Sequence, residues 1–186
     1  MPYLLDNPPI SFRDRPILFL DMEFTGLDPA LHEITEIAAL VVNQPRFEIT
    51  NSYYTKVIPT HPQSADPKAL KISAYRSQDW QDAIPLRRAL IELSRLAPDC
   101  LLAGWAVQNE WDFLNAALAR EKLPYFYHHH LLEISTLAFA KLYSDSDVKY
   151  LNLSRVCRHL GINLIRHKPD SDIRATYDIF KRLSDL

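Results

Sequence analysis

Four stretches of the chain carry the apolar patterns of β-strands. Residues 16–22 (PILFLDM) form an almost continuous apolar run, which is typical of a strand buried on both faces. Residues 33–42 and 46–58 are rich in β-branched and aromatic side chains, and the break at 43–45 predicts that they form a hairpin. A short apolar run at 100–106 predicts a fourth strand. The first three strands are therefore expected to form a meander.

The remaining apolar patterns have helical spacing. A helix is predicted to begin at about Asp82, with Pro85 in its first turn, where a proline ring is tolerated. Four further helical patterns follow at residues 110–123, 131–143, 151–160 and 171–184. This order of elements predicts an α/β or α+β sheet with helices packed on its faces. Residues 1–15 are expected to form an irregular arm, and residues 16–186 a single domain.

Length, charge and cysteine content narrow the class of protein. The chain has 186 residues, enough for one domain with a real core, and a formal net charge of −2. It is not a polycation, so a nucleic-acid partner would have to be held by a local basic patch or by metal ions. Cys100 and Cys157 stand in apolar contexts, which favours two buried thiols over a disulfide. The sequence shows neither a signal-peptide pattern nor an apolar run of membrane-spanning length, so we expect a cytoplasmic protein without a membrane partner.

The first candidate site is the pair of carboxylates in the stretch FLDMEFTGLDP, residues 19–29. On a strand, Asp21 and Glu23 point to the same side, roughly 6–7 Å apart. Two negative charges this close destabilise each other unless one is protonated or a cation lies between them. Oxygen ligands of this kind suit Mg²⁺ or Mn²⁺. The alternative is that Glu23 lies beyond the strand end and is merely solvated.

The second candidate site lies near the C-terminus, in the stretch RHKPDSDIRATYDIF. His167 stands in a segment that contains a proline, and Asp172 follows five residues later at the start of a predicted helix. Taken alone, Asp172 could be a plain helix-capping residue or one that interacts favourably with the helix dipole. The presence of both carboxylate motifs in one chain favours a shared site.

Together, FLDMEFTGLDP and HKPDSDIRAT resemble the first and last motifs of the DEDDh 3′–5′ exonucleases. That group includes proofreading exonuclease subunits, RNase T and oligoribonuclease. The resemblance implies an RNase H-like fold, a five-stranded mixed sheet with three antiparallel strands first and helices on both faces. It also implies hydrolysis of phosphodiester bonds at the 3′ end of single-stranded DNA or RNA. Two Mg²⁺ or Mn²⁺ ions would be held by Asp21, Glu23, Asp172 and a middle carboxylate, with His167 as general base.

The middle motif of the family is altered in this chain. In the stretch AGWAVQNEWDFLNAAL, alignment on the apolar pair Phe113 and Leu114 places Glu110 where the family has Asp. Asp112 is the alternative, but it lies about 200° further around a helix, so both cannot face one metal. We favour Glu110 as the catalytic and metal-binding residue.

The resemblance further implies contacts to the terminal nucleotide. The residues concerned are Met22, Phe24, Thr25, Gly26, Leu27, Trp105 and Phe113. Leu27 would wedge against a base, although plain core packing would also account for a leucine there. Five basic residues of the C-terminal third are candidates for phosphate contacts, or belong to a solvated face: Arg155, Arg158, Arg166, Lys168 and Arg174.

Two alternative functions remain open. One is an oligoribonuclease that acts on very short RNA, but His129, His130 and Leu131 stand where that family has a Tyr-Arg-Tyr stretch. The other is a catalytically weak nucleic-acid-binding module, which the change to Glu110 would favour. The run His128, His129, His130 is predicted to be a surface turn, since three consecutive histidines in regular structure would not converge on one ion. Protein partners are unknown, and a homodimer is left open.

Overall fold

The centre of the fold is a five-stranded sheet in the order β3–β2–β1–β4–β5, as seen in a computed structural model that describes residues 10–72, 76–165 and 168–184. The strands are β1 (Ile17–Phe24), β2 (Ile34–Asn43), β3 (Glu48–Lys56), β4 (Cys100–Gly104) and β5 (Tyr127–Glu133). The first three are antiparallel neighbours, whereas β4 runs parallel to β1 and β5 runs parallel to β4. The predicted meander and the mixed five-stranded sheet are confirmed.

The helices follow the predicted order with some changed boundaries. They are α1 (Pro67–Ile72), α2 (Leu86–Leu96), α3 (Gln108–Arg120), α4 (Ile134–Leu142), α5 (Leu153–Leu160) and α6 (Pro169–Leu183). The prediction that a helix begins near Asp82 is wrong. Ile84 still pairs with Val57 in a β-bridge, and Pro85 has an extended backbone with ψ of 142°, so α2 begins only at Leu86.

The core lies on both faces of β1, which explains its continuous apolar run. Leu18 and Leu20 belong to the cluster that includes α2 and α3, and Ile17 and Phe19 belong to the cluster that includes α4, α5 and α6. Because side chains alternate along a strand, Asp21 leaves the sheet on the same side as Ile17 and Phe19. The carboxylates at the end of β1 therefore project from a strand that is packed on both faces.

The edge strand β5 is the element that the sequence pattern misses. Residues 131–143 are predicted as one helix, but the strand continues to Glu133 and α4 begins at Ile134. The histidines His128, His129 and His130 lie in this strand and not in a surface turn. Their ring centroids are 4.0–4.9 Å apart, closer than is expected for consecutive residues of a regular strand. An irregularity in the β4–β5 register, between Cys100 and Leu102, accounts for this convergence.

The two cysteines lie in the core, one in each of its two clusters. Cys100 and Cys157 are both buried and free, as predicted. Burial raises the pKa of the Cys157 thiol to about 11, which keeps it protonated near neutral pH.

In the part of the chain that the structure describes, no helix combines the length and apolar character needed to cross a membrane.

Candidate active site

Four acidic side chains from three elements meet at the end of β1. Asp21 and Glu23 lie on β1, Glu110 lies in the first turn of α3, and Asp172 lies in the first turn of α6. Burial raises the pKa of Asp21 well above its usual range, and the charges of Glu110, Asp172 and Glu23 raise it further, in that order. Asp21 is therefore coupled electrostatically to each of the other three carboxyl groups, and of these four described residues no three bring carboxylate oxygens within 4.8 Å of one another.

The other carboxyl groups of the cluster are perturbed in the same direction. Burial raises the pKa of Glu23 to about 7, with further contributions from the charges of Glu36 and Asp172. Burial likewise raises the pKa of Glu110 to about 8, assisted by the charges of Glu133 and Glu23. Each shift reflects the cost of holding negative charge in a dry site beside other negative charges.

The structure separates the two candidates for the middle carboxylate. Glu110 is only 6% exposed, receives a backbone hydrogen bond from Met22 of β1, and has an Oε2 atom without a hydrogen-bond partner among the described residues. Asp112 is half-buried and accepts a hydrogen bond from Gln108 Nε2 at 3.0 Å. Glu110, and not Asp112, is therefore the residue that interacts with Asp21 and Glu23. This position supports the alignment on Phe113, whereas the chemical role of Glu110 is a matter for the assay.

The position of Asp172 differs from that of a capping residue. Lys168 occupies the N-cap of α6, and Pro169 is the first helical residue. Asp172 is thus the fourth helical residue, at the end of the first turn. Asp172 is therefore not the N-cap, and its charge acts on Asp21. His167 and Arg166 lie outside the described residues.

Two acidic residues near the cluster are not predicted from the sequence. Glu36 is buried on β2 directly opposite Glu23, and its Oε2 accepts a hydrogen bond from the Tyr54 hydroxyl at 2.5 Å. Its only sequence signal is a charged residue inside the otherwise apolar run of β2. Glu133, at the end of β5, falls within a segment predicted as helix.

Glu133 holds the start of two helices. Its carboxylate accepts the backbone N–H groups of Ala106 and Val107, which lead into α3, each at 2.9 Å. It also accepts the N–H of Ser135 at the start of α4, at 2.9 Å. Since Glu110 lies in the first turn of α3, Glu133 is a positioning residue for it.

The turn after β1 is held rigidly from its buried side. The Thr25 N–H donates to the Glu33 carbonyl at 2.8 Å, and the Glu33 N–H donates back to Thr25 Oγ1 at 2.8 Å. Gly26 packs against the His32 ring so closely that an added Cβ would lie 2.4 Å from ring atoms. Leu27 is 89% exposed, so the core-packing interpretation of this leucine is wrong.

The remaining predicted nucleotide contacts are more buried. Phe24 stacks on Phe113 with ring centroids 3.8 Å apart, and Phe113 and Met22 are each 4% exposed. Trp105 is half-buried against the second core cluster. Phe24 and Leu27 are thus more accessible to a ligand than Met22 and Phe113.

A cavity of about 530 Å³ opens beside Asp172. Arg155 and Arg158 of α5 contribute to its lining, as do Asn152, Leu153, Ser154 and Leu164. The Arg155 guanidinium also lies 4.5 Å above the Tyr150 ring. Two of the predicted phosphate-contacting residues therefore line a cavity that reaches the carboxylate cluster. Arg174 on α6 and Lys168 at its N-cap are exposed.

The chain matches a family model described as the RNase T exonuclease family over residues 18–180. The chain belongs to this exonuclease family. The match includes residues of all five strands and all four carboxylates, and it confirms the resemblance to the DEDDh exonucleases that the motifs indicate.

Similar proteins of several kinds support this membership. The PolC-type DNA polymerase III of Thermotoga maritima is 26% identical over 182 residues, which are 95% of this chain but only 12% of that protein. The oligoribonuclease of Vibrio campbellii is 25% identical over 147 residues, covering 69% of this chain and 76% of that enzyme. The chain therefore corresponds to a small part of the polymerase and to most of the oligoribonuclease.

Solved structures of E. coli exonuclease I share the fold. Its complex with a dT13 oligonucleotide superposes with a TM-score of 0.77 at 18% identity, covering 91% of this chain and 41% of that one. A zinc-bound complex of the same enzyme with single-stranded DNA gives a TM-score of 0.76 at 19% identity, with coverages of 92% and 42%. These likenesses confirm the RNase H-like fold.

Proposed function

We propose that this chain is a metal-dependent 3′–5′ exonuclease that hydrolyses phosphodiester bonds at the 3′ ends of single-stranded DNA or RNA. The observation that carries the proposal is the meeting of Asp21, Glu23, Glu110 and Asp172 at the end of a packed strand. Membership of the exonuclease family, with the family model spanning all four residues, supports it.

The cluster suits divalent cations on its own chemistry. Burial and the neighbouring carboxyl groups raise the pKa values of Asp21, Glu23 and Glu110, and Oε2 of Glu110 lacks a hydrogen-bond partner among the described residues. An all-oxygen donor set is what Mg²⁺ and Mn²⁺ prefer. We assign the four carboxylates as ligands of two such ions. When bound, the ions would supply an acidified water and stabilise charge on the leaving 3′ oxygen.

His167 is proposed as the general base. It stands five residues before Asp172 in the sequence, and an imidazole titrates near neutral pH, which suits removal of a proton from the attacking water. The motif resemblance is the support for this role.

The substrate strand is proposed to enter past the turn after β1. Leu27 is exposed at its tip and is assigned as the wedge against the terminal base, while the backbone of residues 22–26 and Phe24 line the terminal position. Arg155 and Arg158, in the cavity beside Asp172, would contact the phosphates. Exonuclease I, which shares this fold, is described in complexes with single-stranded oligonucleotides.

A second candidate within the same chemistry is an oligoribonuclease acting on very short RNA. The oligoribonuclease of Vibrio campbellii supports it, because the match extends over 76% of that enzyme. His129 and His130 replace residues typical of that family, so we place the broader exonuclease first.

The activity is tested with 5′-labelled single-stranded DNA and RNA oligonucleotides of graded length, with Mn²⁺ and with or without chelator. The expected result is a ladder of products shortened from the 3′ end, abolished by chelator and by Asp21→Asn. Asp79→Asn is a control, since Asp79 pairs with Arg76 at 2.7 Å outside the cluster. Rapid cleavage of dinucleotides alone would favour the oligoribonuclease. Substrate that is bound but stays intact would overturn the enzyme assignment in favour of a binding module.

A further inference from the structure

Three histidines on the edge strand β5 form a cluster separate from the carboxylates. One ring nitrogen from each of His128, His129 and His130 lies within 4.8 Å of the others. Within this cluster, Nδ1 of His128 lies 3.1 Å from Nδ1 of His130. His129 and His130 are exposed, whereas His128 is half-buried.

A bulge in β5 explains how consecutive residues can converge. Cys100 of β4 pairs with Tyr127, and Leu102 pairs with Leu131, so β5 advances four residues while β4 advances two. The extra residues break the alternation that would send neighbouring side chains to opposite faces. The His130 N–H donates to Nδ1 of His128 at 3.3 Å, a hydrogen bond formed within the bulge.

The cluster lies away from the carboxylate site. It is level with residues 100–102 of β4, near Arg15 and Asp99, which are electrostatic neighbours of His128. Asp21 lies two residues beyond Phe19, which pairs with Ala103. At about 3.3 Å per residue, the two sites are roughly 13 Å apart along the strand direction, in addition to their separation across the sheet.

We propose that His128, His129 and His130 form a binding site for a borderline transition-metal ion of the Zn²⁺ class. Three imidazole nitrogens with water completing the shell are a donor set that suits Zn²⁺, Ni²⁺ and Cu²⁺ and disfavours Mg²⁺. The two sites of the chain thereby select different ions by ligand chemistry. The assignment is independent of the proposed exonuclease function.

Ion binding requires the rings to rotate, because the His128 and His130 rings are stacked with their planes 15° apart. A Zn–N bond of about 2.0–2.1 Å places adjacent nitrogens in a tetrahedral shell roughly 3.3 Å apart. The His128 and His130 Nδ1 atoms are 3.1 Å apart because the two rings share a hydrogen bond, so the shared proton must leave for solvent when an ion binds, and the 4.8 Å limit for the set must contract by about 1.5 Å. The exposed rings of His129 and His130 can make this movement by side-chain rotation. A bound ion would link the three side chains, restrain the backbone of the bulge and thereby stabilise an edge strand.

The test uses the full chain carrying Asp21→Asn and Glu110→Gln, so that the carboxylate site contributes little to binding. Titration with Zn²⁺ alone, followed by calorimetry, is expected to give one ion per chain. In the same background, His129→Gln and His130→Gln are each expected to weaken binding by about tenfold or more. His159→Gln is the matched control, because His159 pairs with Asp145 at 3.0 Å outside the cluster.

Co²⁺ as a spectroscopic probe reports ligation directly. The parent is expected to show visible d–d absorption that is lost in the His130→Gln variant and kept in the His159→Gln variant. Circular dichroism of each protein excludes loss of folding as the cause, and His129→Gln alters an exposed residue of the cluster. Absence of Zn²⁺ binding in the parent, or equal affinity in all variants, would overturn the proposal.

Discussion

Glu23 and Glu36 lie directly opposite each other on β1 and β2, so that two carboxyl groups share one face of the sheet beside Asp21. Glu36 is buried and accepts the Tyr54 hydroxyl, and its charge contributes, after burial, to raising the pKa of Glu23 to about 7. A directly opposed pair of like charges is destabilising in a sheet. In the metal-free protein this pair is a source of instability.

Glu36→Gln should therefore stabilise the metal-free protein at pH 8. The amide keeps an acceptor for the Tyr54 hydroxyl and removes the charge that opposes Glu23. A gain of about 1 kcal/mol would raise Tm by roughly 2–4 °C. Thermal unfolding in chelator measures it, with Glu48→Gln on the exposed part of β3 as the control. An equal Tm for Glu36→Gln and wild type would show that the opposed charges cost nothing.

Removal of metal should make stability depend on pH. Burial, assisted by neighbouring carboxylates, raises the pKa of Glu23 to about 7 and that of Glu110 to about 8, from ordinary values of 4.5. The folded state thus binds these protons more tightly than the unfolded state. The stability that this provides is fully present below about pH 4.5 and is lost as the pH rises through 7 to 8.

The measurement is Tm in chelator between pH 5.5 and 8.5. With a penalty of about 4 kcal/mol across this range, reduced for the partial exposure of Glu23, Tm should fall by roughly 8–16 °C. Saturating Mn²⁺ should remove most of the fall, because the cations offset the repulsion between the carboxylates. A fall that persists unchanged in Mn²⁺ would contradict the metal assignment.

Glu110 and Asp112 should differ sharply in the nuclease assay. Glu110→Gln is expected to lower kcat by about 100-fold or more, because a ligand of the metal site is lost. Asp112→Asn should remain close to wild type, since Asp112 hydrogen-bonds to Gln108. Glu110→Asp restores the residue typical of the family and should keep substantial activity. Loss of activity in Asp112→Asn alone would transfer the role to that residue.

Much of the site could be predicted from local sequence. The spacing of Asp21 and Glu23 on an apolar strand fixes their common face, and alignment on Phe113 places Glu110 correctly beside them. Glu36 could not be predicted in the same way, because its contact with Glu23 depends on the β1–β2 register. Register is set by packing of the whole sheet.

The edge strand β5 could not be predicted for a related reason. Tyr127 and the three histidines lack the apolar alternation of a strand, and the bulge removes what periodicity there is. Pairing with β4 fixes the strand, and that pairing leaves no local signal in the sequence. The convergence of His128, His129 and His130 follows from the same tertiary register.

Glu133→Ala should impair catalysis through the start of α3. The substitution removes the acceptor for the N–H groups of Ala106 and Val107, which precede the turn that carries Glu110. We expect a loss of about 1–3 kcal/mol in stability and a decrease in kcat that exceeds any change in KM. Glu133→Gln, which keeps one acceptor oxygen, should recover part of both. Unchanged kcat in a destabilised Glu133→Ala protein would limit its role to folding.

Gly26→Ala should displace the turn that presents Leu27. An added Cβ would lie 2.4 Å from atoms of the His32 ring, closer than any real contact, so the ring or the turn must move. The His32 Nδ1 accepts the Asp28 N–H at 3.0 Å, which couples movement of the ring to the turn itself. We expect KM for a single-stranded oligonucleotide to rise by about tenfold with a smaller change in kcat, as befits a residue that shapes substrate binding. The double variant Gly26→Ala, His32→Ala frees the space occupied by the ring, so its KM should exceed that of His32→Ala alone by much less than tenfold. If Gly26→Ala has the same effect in both backgrounds, the clash with His32 is not its cause, and the turn would then depend on Gly26 through its backbone alone.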